Sequence, residues 1–207
     1  MTSIITGDII HSQKVSPDLW LNRLKLELNS IGNNPQVWEI YRGDSFQVEI
    51  PTPTNALKSA IKIKAALKSI KHIDVKMAIG LGEKSHITSK ITESNGSAFV
   101  FSGELFEHLV KTKINLAIAS SFEEFNKDVN LMLRLALIVM DNWTVNSSEM
   151  VYMALKNPGT SQKELGKILG IKQNAVSNRL KRASYNEITE LIIRYEDKIK
   201  NLQHDIN

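Results

Sequence analysis

In the first 142 positions, stretches in which every second residue is hydrophobic are interspersed with stretches in which hydrophobic residues recur at helical spacing. Apolar residues at every second position are typical of half-buried strands, and apolar residues three and four positions apart are typical of amphipathic helices. The period-two stretches predict strands at 3–10, 37–41, 46–50, 75–80 and 114–119. The helical spacing predicts helices at 17–31, 55–71, 100–111 and 126–142. The five lysines of the second helix, at positions 58, 62, 64, 68 and 71, are expected to lie mostly in solvent.

The first six predicted elements follow the order β-α-β-β-α-β. This order is typical of the ferredoxin-like layout, an antiparallel sheet with helices on one face. The sequence therefore predicts an α+β protein in which residues 1–142 form a ferredoxin-like palm domain.

After residue 142 the pattern is helical only, which predicts a second, all-α domain at 143–207. Within it, Ser161 and Glu164 have the spacing of a capping box that begins a helix. Gly170, a residue suited to positive φ, ends that helix, and another begins at Gln173. Two short helices joined in this way predict a helix-turn-helix.

The second helix of this pair is predicted to bury Ala175, Val176 and Leu180 and to leave a polar face outward. Amide side chains read base edges and basic side chains hold phosphates, which suits a recognition helix in the major groove. Residues 160–186 also carry six basic side chains against a single acid, Glu164. An αα-hairpin with a solvated face is the alternative, but the cap, turn, core and basic end together favour DNA binding. The predicted DNA-contacting residues are Gln162, Lys172, Gln173, Asn174, Ser177, Asn178, Lys181 and Arg182.

Two acids stand at the turns where a ferredoxin-like palm holds metals. Asp8 lies near the end of the first strand, and Asp44 lies at the tip of the predicted hairpin. Paired carboxylates beside open backbone suit Mg²⁺ and a triphosphate, with Arg42 and Ser12 as candidate nucleotide contacts. The alternative is that each Gly-Asp pair serves only as turn chemistry.

Motifs along nearly the whole chain resemble the bacterial SatD family, which is linked loosely to stress responses. They are Thr6-Gly7-Asp8-Ile9-Ile10, Tyr41-Arg42-Gly43-Asp44-Ser45-Phe46-Gln47, Ala78-Ile79-Gly80, Asn95-Gly96-Ser97-Ala98-Phe99, Ser102-Gly103 and Asn174-Ala175-Val176-Ser177-Asn178-Arg179-Leu180-Lys181-Arg182-Ala183.

The first half is also distantly similar to class III nucleotidyl cyclases and diguanylate cyclases. That resemblance implies a metal-binding role for Asp8 and Asp44, whose placement matches the two metal aspartates of those palms. The segment Val100-Phe101-Ser102-Gly103-Glu104 offers neither the Asn nor the Arg that stabilises the transition state in class III cyclases. The resemblance is therefore compatible with nucleotide binding and does not imply cyclase catalysis.

Composition limits the remaining possibilities. The chain has 207 residues, a net charge of +4 and no cysteine, which excludes disulfides, thiolate zinc sites and a cysteine nucleophile. Without a signal-peptide pattern or a long apolar run, the sequence predicts a cytoplasmic protein with no membrane partner. A heptad-spaced stripe predicts a homodimer through the last helix, although the same stripe would equally pack onto its own chain. The stripe comprises Tyr185, Ile188, Ile192, Tyr195, Ile199, Leu202 and Ile206.

The leading interpretation is a DNA-binding transcriptional regulator whose palm senses a nucleotide or another small effector. The first alternative is a Mg²⁺-dependent enzyme acting on nucleotides and targeted to DNA by its tail. A third is a palm that serves only dimerisation.

Overall fold

The computed structural model describes residues 1–206, with side chains to residue 204, and shows an α+β protein with a five-stranded sheet. Strands β1 to β5 are Thr2–Ile10, Trp38–Tyr41, Ser45–Ile50, Asp74–Gly82 and Leu116–Ala119. The eight α-helices of the described chain, α1 to α8, are Pro17–Asn29, Ala56–Lys68, Ser97–Thr112, Glu123–Met140, Val145–Lys156, Gln162–Leu169, Gln173–Arg182 and Tyr185–Ile206. None of the helices within residues 1–206 is long and apolar enough to cross a membrane.

The sheet has the strand order β2-β3-β1-β4-β5 and is mixed. The predicted antiparallel sheet is correct for four strands, since β1 pairs antiparallel with both β3 and β4, and β2 with β3. It is wrong for β5, which runs parallel to β4. Between β4 and β5 the chain forms α3, a crossover of the kind that parallel neighbours require.

Helices cover both faces of the sheet, so the prediction of helices on one face is wrong. Neighbouring residues of β1 belong to different apolar clusters: Ile5 packs with α1 and α2, whereas Ile4 packs with Ala98 and Phe99 of α3. Helix α3 approaches β4 so closely that a Cβ at Gly80 would lie 2.2 Å from the carbonyl oxygen of Ala98. Only glycine fits at that crossing.

One of the lysines expected in solvent is buried. Lys64 of α2 is fully inaccessible, and its Nζ lies 2.8 Å from Asp74 Oδ1 and 2.8 Å from Asp141 Oδ1. Lys68 completes the network by donating to Asp74 Oδ2 at 2.8 Å and to the carbonyl oxygen of Asp141 at 2.9 Å. This network ties α2 to the start of β4 and to the end of α4.

Helix α8 packs against its own chain, and the predicted dimer seam is therefore wrong. Ile188, Ile192, Tyr195 and Ile199 are buried in the main core, and the Tyr195 hydroxyl donates to the carbonyl oxygen of Pro53 at 3.0 Å. The stripe buries its apolar surface within one chain, so it is not available to a second copy. The side chain of Ile206, the last residue of the stripe, lies outside the described side chains.

The main core continues across the predicted boundary at 143–145. Trp143 is buried, and its indole N–H donates to the carbonyl oxygen of Ala183 at 3.0 Å. Tyr152 of α5 donates to Glu27 Oε1 of α1 at 2.7 Å. Helices α5 and α8 thus share one apolar cluster with the sheet.

Candidate nucleic-acid interface and carboxylate pair

Helix α6 begins with the predicted capping box. The backbone N–H of Glu164 donates to Ser161 Oγ at 3.3 Å, and the backbone N–H of Ser161 donates to Glu164 Oε2 at 3.0 Å. Ser161 Oγ also donates to Glu164 Oε2 at 2.7 Å, and this hydrogen bond, together with the one from the Ser161 backbone N–H, holds the pKa of Glu164 below its usual value. Gly170 ends the helix with φ 65°, the left-handed conformation that its position predicts.

Helices α5, α6 and α7 share a small core of their own. Its buried members are Met150, Ala154, Leu165 and Val176, and Leu169, Ile171 and Leu180 pack against it. The sequence predicts the inward packing of two of these residues, Val176 and Leu180 of α7. It did not identify Met150 and Ala154, because α5 carries no turn or cap signal that connects it to the pair.

The eight residues predicted to contact DNA are all exposed. Six of them lie on α7, Lys172 immediately precedes it, and Gln162 begins α6. Arg179 differs, since it is half-buried and its Nη1 lies 3.4 Å from Glu149 Oε2 of α5. Arg179 therefore anchors α7, while Lys181 and Arg182 extend from its last turn.

The carboxylates of Asp8 and Asp44 lie side by side. Asp8 is paired in register with Ser45 across β1 and β3, and the backbone N–H of Ile9 donates to the carbonyl oxygen of Asp44 at 3.2 Å. Ser45 Oγ donates to Asp8 Oδ1 at 2.8 Å, and Ser12 Oγ donates to Asp44 Oδ2 at 2.5 Å. The structure thus brings together three of the four residues predicted for this site.

The electrostatics of the pair follow from partial burial and like charge. Burial raises the pKa of Asp8, and the neighbouring Asp44 raises it further, against the hydrogen bond from Ser45. Lys76 is paired with Asp8 in register, but its Nζ donates to the carbonyl oxygens of Leu109 and Ile114, both at 2.8 Å. Burial lowers the pKa of this lysine, while Asp8 opposes that shift. The repulsion within the pair is therefore only partly compensated by the protein.

Arg42, the fourth predicted residue, is exposed in the turn between β2 and β3. It has φ 53° and is followed by Gly43 with φ 94°, so the turn uses two consecutive left-handed residues. Arg42 lines a cleft of about 580 Å³ together with Tyr41, Lys25 and Asn29. Among residues 1–206, no group of three or more acidic or histidine side chains forms a complete metal site.

Comparison with models of known protein families found no match, and comparison with curated proteins found none either.

Proposed function

We propose that the protein is a DNA-binding transcriptional regulator in which α6 and α7 form a helix-turn-helix. The observation that carries the proposal is the face of α7, on which amide and basic side chains are exposed together while Val176 packs inward. A solvated surface helix needs no such combination, whereas a recognition helix needs both kinds of side chain.

The residues on this face divide by chemistry. Gln173, Asn174 and Asn178 carry amides that match the edge of adenine, and Lys181 and Arg182 carry charges suited to phosphates. Helix α7 contains no acidic residue, so nothing on that helix repels the DNA backbone. The first group would set sequence preference, and the second would set affinity and its dependence on salt.

The remainder of the chain would act as a ferredoxin-like palm that senses an effector. The order β2-β3-β1-β4 within the sheet supports this fold, and the incompletely compensated charge of Asp8 and Asp44 supports a divalent cation such as Mg²⁺. Two carboxylates would supply part of its ligands, and the phosphates of a nucleotide would supply more, with Ser12 and Arg42 as contacts. Membership of the SatD family and the likeness to cyclase palms are part of this proposal.

The effector would act by shifting the population of two arrangements of the helices. Because α5 and α8 both pack into the main core, a change around the sheet has a direct route to α7. A homodimer that presents two α7 helices to two half-sites belongs to the same proposal. Its interface lies elsewhere than on the buried stripe of α8.

Binding of the full-length chain to duplex DNA at increasing salt tests the proposal. Fluorescence anisotropy should show affinity that falls with salt, and Arg182→Gln or Lys181→Gln should reduce the slope of log affinity against log salt by about 1. Asn178→Ala should instead reduce discrimination between sequences. Lys111→Gln on α3 is the matched control, since that lysine is exposed on another helix. Absence of duplex binding by the wild type at low salt would overturn the proposal.

The carboxylate pair also favours a second candidate, a Mg²⁺-dependent enzyme acting on a nucleotide. Thermal shift with nucleoside triphosphates and Mg²⁺, followed by product analysis, separates the two. Stabilisation without turnover supports the sensor, and turnover supports the enzyme. Asp44→Asn should abolish either response while the protein stays folded. If no nucleotide stabilises the wild-type protein, Asp8 and Asp44 serve only as turn residues.

A further inference from the structure

Helix α4 is apolar on more sides than its own chain covers. One face is buried in the main core through Phe125, Val129, Leu133, Leu137 and Met140. The opposite face carries Leu131, Leu135 and Ile138, which are 52%, 60% and 66% exposed. A helix that is hydrophobic all round is normally buried all round. The outer face of α4 therefore calls for a partner that covers it.

The exposed side chains continue into a groove between α4 and α8. The groove has a volume of about 430 Å³, and its apolar lining comprises Met132, Leu135, Ala136 and Val139 of α4 and Leu191 of α8. Helices of 18 and 22 residues lie side by side here. Together they present a surface of about 20 by 30 Å, or about 600 Å². Two such surfaces bury about 1,200 Å², the lower limit for a specific, stable interface.

The charges around this apolar surface are balanced. Arg134 of α4 and Arg194 of α8 are positive, and Glu187 and Glu190 of α8 are negative. All four side chains are exposed, and none of them forms a salt bridge with a described residue. A surface with no net charge does not attract a polyanion or an acidic peptide. A two-fold interface brings one surface onto its own copy, so it needs charges of both signs on that surface.

We propose that this face, formed by the outer side of α4 and by its groove with α8, binds the same face of a second copy of the chain. Leu131 and Ile138 lie four and three residues on either side of Leu135. An antiparallel pair of α4 helices therefore brings Leu131 near Ile138 of the partner subunit, with Leu135 at the centre. The charged side chains around the apolar residues then pair between the copies.

This interface lies next to the proposed recognition helix. Ser184, two residues after the end of α7, lines the same groove. A contact here fixes the two α7 helices relative to one another, as binding to two half-sites requires. The inference rests on the homodimer of the proposed function and names the surface that forms it.

Sedimentation equilibrium of the full-length chain without DNA, from about 1 to 300 µM, tests the inference. We expect the wild type to dimerise within this range. Leu135→Glu should weaken dimerisation at least about a hundredfold, because it places two like charges at the centre of the interface. Leu19→Glu is the matched control, since Leu19 is 59% exposed on α1, and it should leave dimerisation unchanged. Circular dichroism should show both variants folded.

Cross-linking identifies the face that makes the contact. The chain contains no cysteine, so Leu135→Cys introduces a single thiol. A bismaleimide with a spacer of about 10 Å, the distance between the axes of packed helices, should link two copies of this variant. Leu19→Cys should remain unlinked under the same conditions.

Each of three results would overturn the inference. A wild type that is monomeric at about 300 µM would show that something other than a second copy covers the face. Dimerisation of Leu135→Glu with wild-type affinity would place the interface elsewhere and leave the homodimer standing. Equal linking of Leu19→Cys and Leu135→Cys would do the same. Duplex binding is measured separately by anisotropy, so a monomer that binds DNA would keep the regulator without its dimer.

Discussion

Gly166 lies where α6 comes closest to the turn that follows it. A Cβ at this position would lie 2.6 Å from the carbonyl oxygen of Ile171, and the backbone N–H of Ile171 donates to the carbonyl oxygen of Gly166 at 2.9 Å. By helix propensity alone, alanine would be the better residue here. The close approach of two backbone segments reverses that preference.

Gly166→Ala should therefore destabilise the protein, by about 1–3 kcal/mol, the range for overpacking a filled site. Gly103→Ala is the matched control, because Gly103 lies inside α3 with no atom within 4 Å of a Cβ built there. It should stabilise the protein by about 0.5–1 kcal/mol through helix propensity. Urea denaturation measures both, and equal effects of the two substitutions would contradict the close approach at Gly166.

Asp8→Asn should stabilise the protein at neutral pH. The pKa of Asp8 is raised above its unfolded value of 3.8, so the ionised carboxylate costs stability once the pH exceeds its folded-state pKa. The amide keeps an oxygen that accepts from Ser45 and removes the repulsion with Asp44. Asp8 is half-exposed, so the expected rise in Tm at pH 7 is small, about 1–2 °C.

The pH dependence gives the check on this substitution. The difference in Tm should shrink as the pH falls through the folded-state pKa of Asp8 and vanish below 3.8, where the wild-type carboxyl is protonated in both states. Thermal melts from pH 3 to pH 7, without divalent cations, measure it. A constant difference across this range would mean that ionisation of Asp8 is not the cause.

Lys64 shows what the sequence could not predict at the level of single residues. Its neighbours in α2 give it the spacing of a surface lysine, and its partners Asp74 and Asp141 are 10 and 77 positions away. A pairing across such a distance leaves no local pattern. By contrast, the sequence identifies Asp8 and Asp44 together, because Gly-Asp turns and strand ends are local signals.

Among the elements, α6 and α7 were predicted from the sequence with the correct cap and the correct terminal glycine. Both are set by local chemistry, namely a capping box and a left-handed glycine. The direction of β5 was not predictable in this way, because it depends on α3 crossing to the opposite face of the sheet. The sequence also shows the apolar stripe of α8. Such a stripe indicates that one face of the helix is buried, but not whether that face packs on its own chain or on a second copy.

Two isoleucines on α8 provide a matched test of where that stripe is buried. Ile199 is fully buried and Ile193 is 51% exposed, so Ile199→Ala should cost about 2–5 kcal/mol and Ile193→Ala less than about 0.5 kcal/mol. Chemical denaturation at two protein concentrations measures the free energy of unfolding of both variants. If Ile199 is buried within its own chain, the free energy lost in Ile199→Ala is the same at both concentrations. A loss of stability at Ile199 that depends on protein concentration would instead indicate that the stripe of α8 contributes to a dimer interface.

Taken as a whole, the chain should unfold in a single cooperative transition. The predicted boundary at 143–145 lies beside Trp143, which is buried, and Tyr152 and Tyr195 both donate across it to residues of the first 142. Calorimetry together with near- and far-ultraviolet circular dichroism should give coincident midpoints. Two resolved transitions would show instead that residues 143–207 have a stability of their own.

The hydrogen bond from Tyr195 to the carbonyl oxygen of Pro53 has a consequence for how such a chain evolves. Helix α8 comes directly after α7, yet its buried side chains fit a surface made by residues 53–55, α2 and α4. A recombination event that exchanged only residues 143–207 would bring in a last helix shaped for a different core. New specificity on α7 is therefore reached more readily by point substitution at its exposed positions than by exchange of modules.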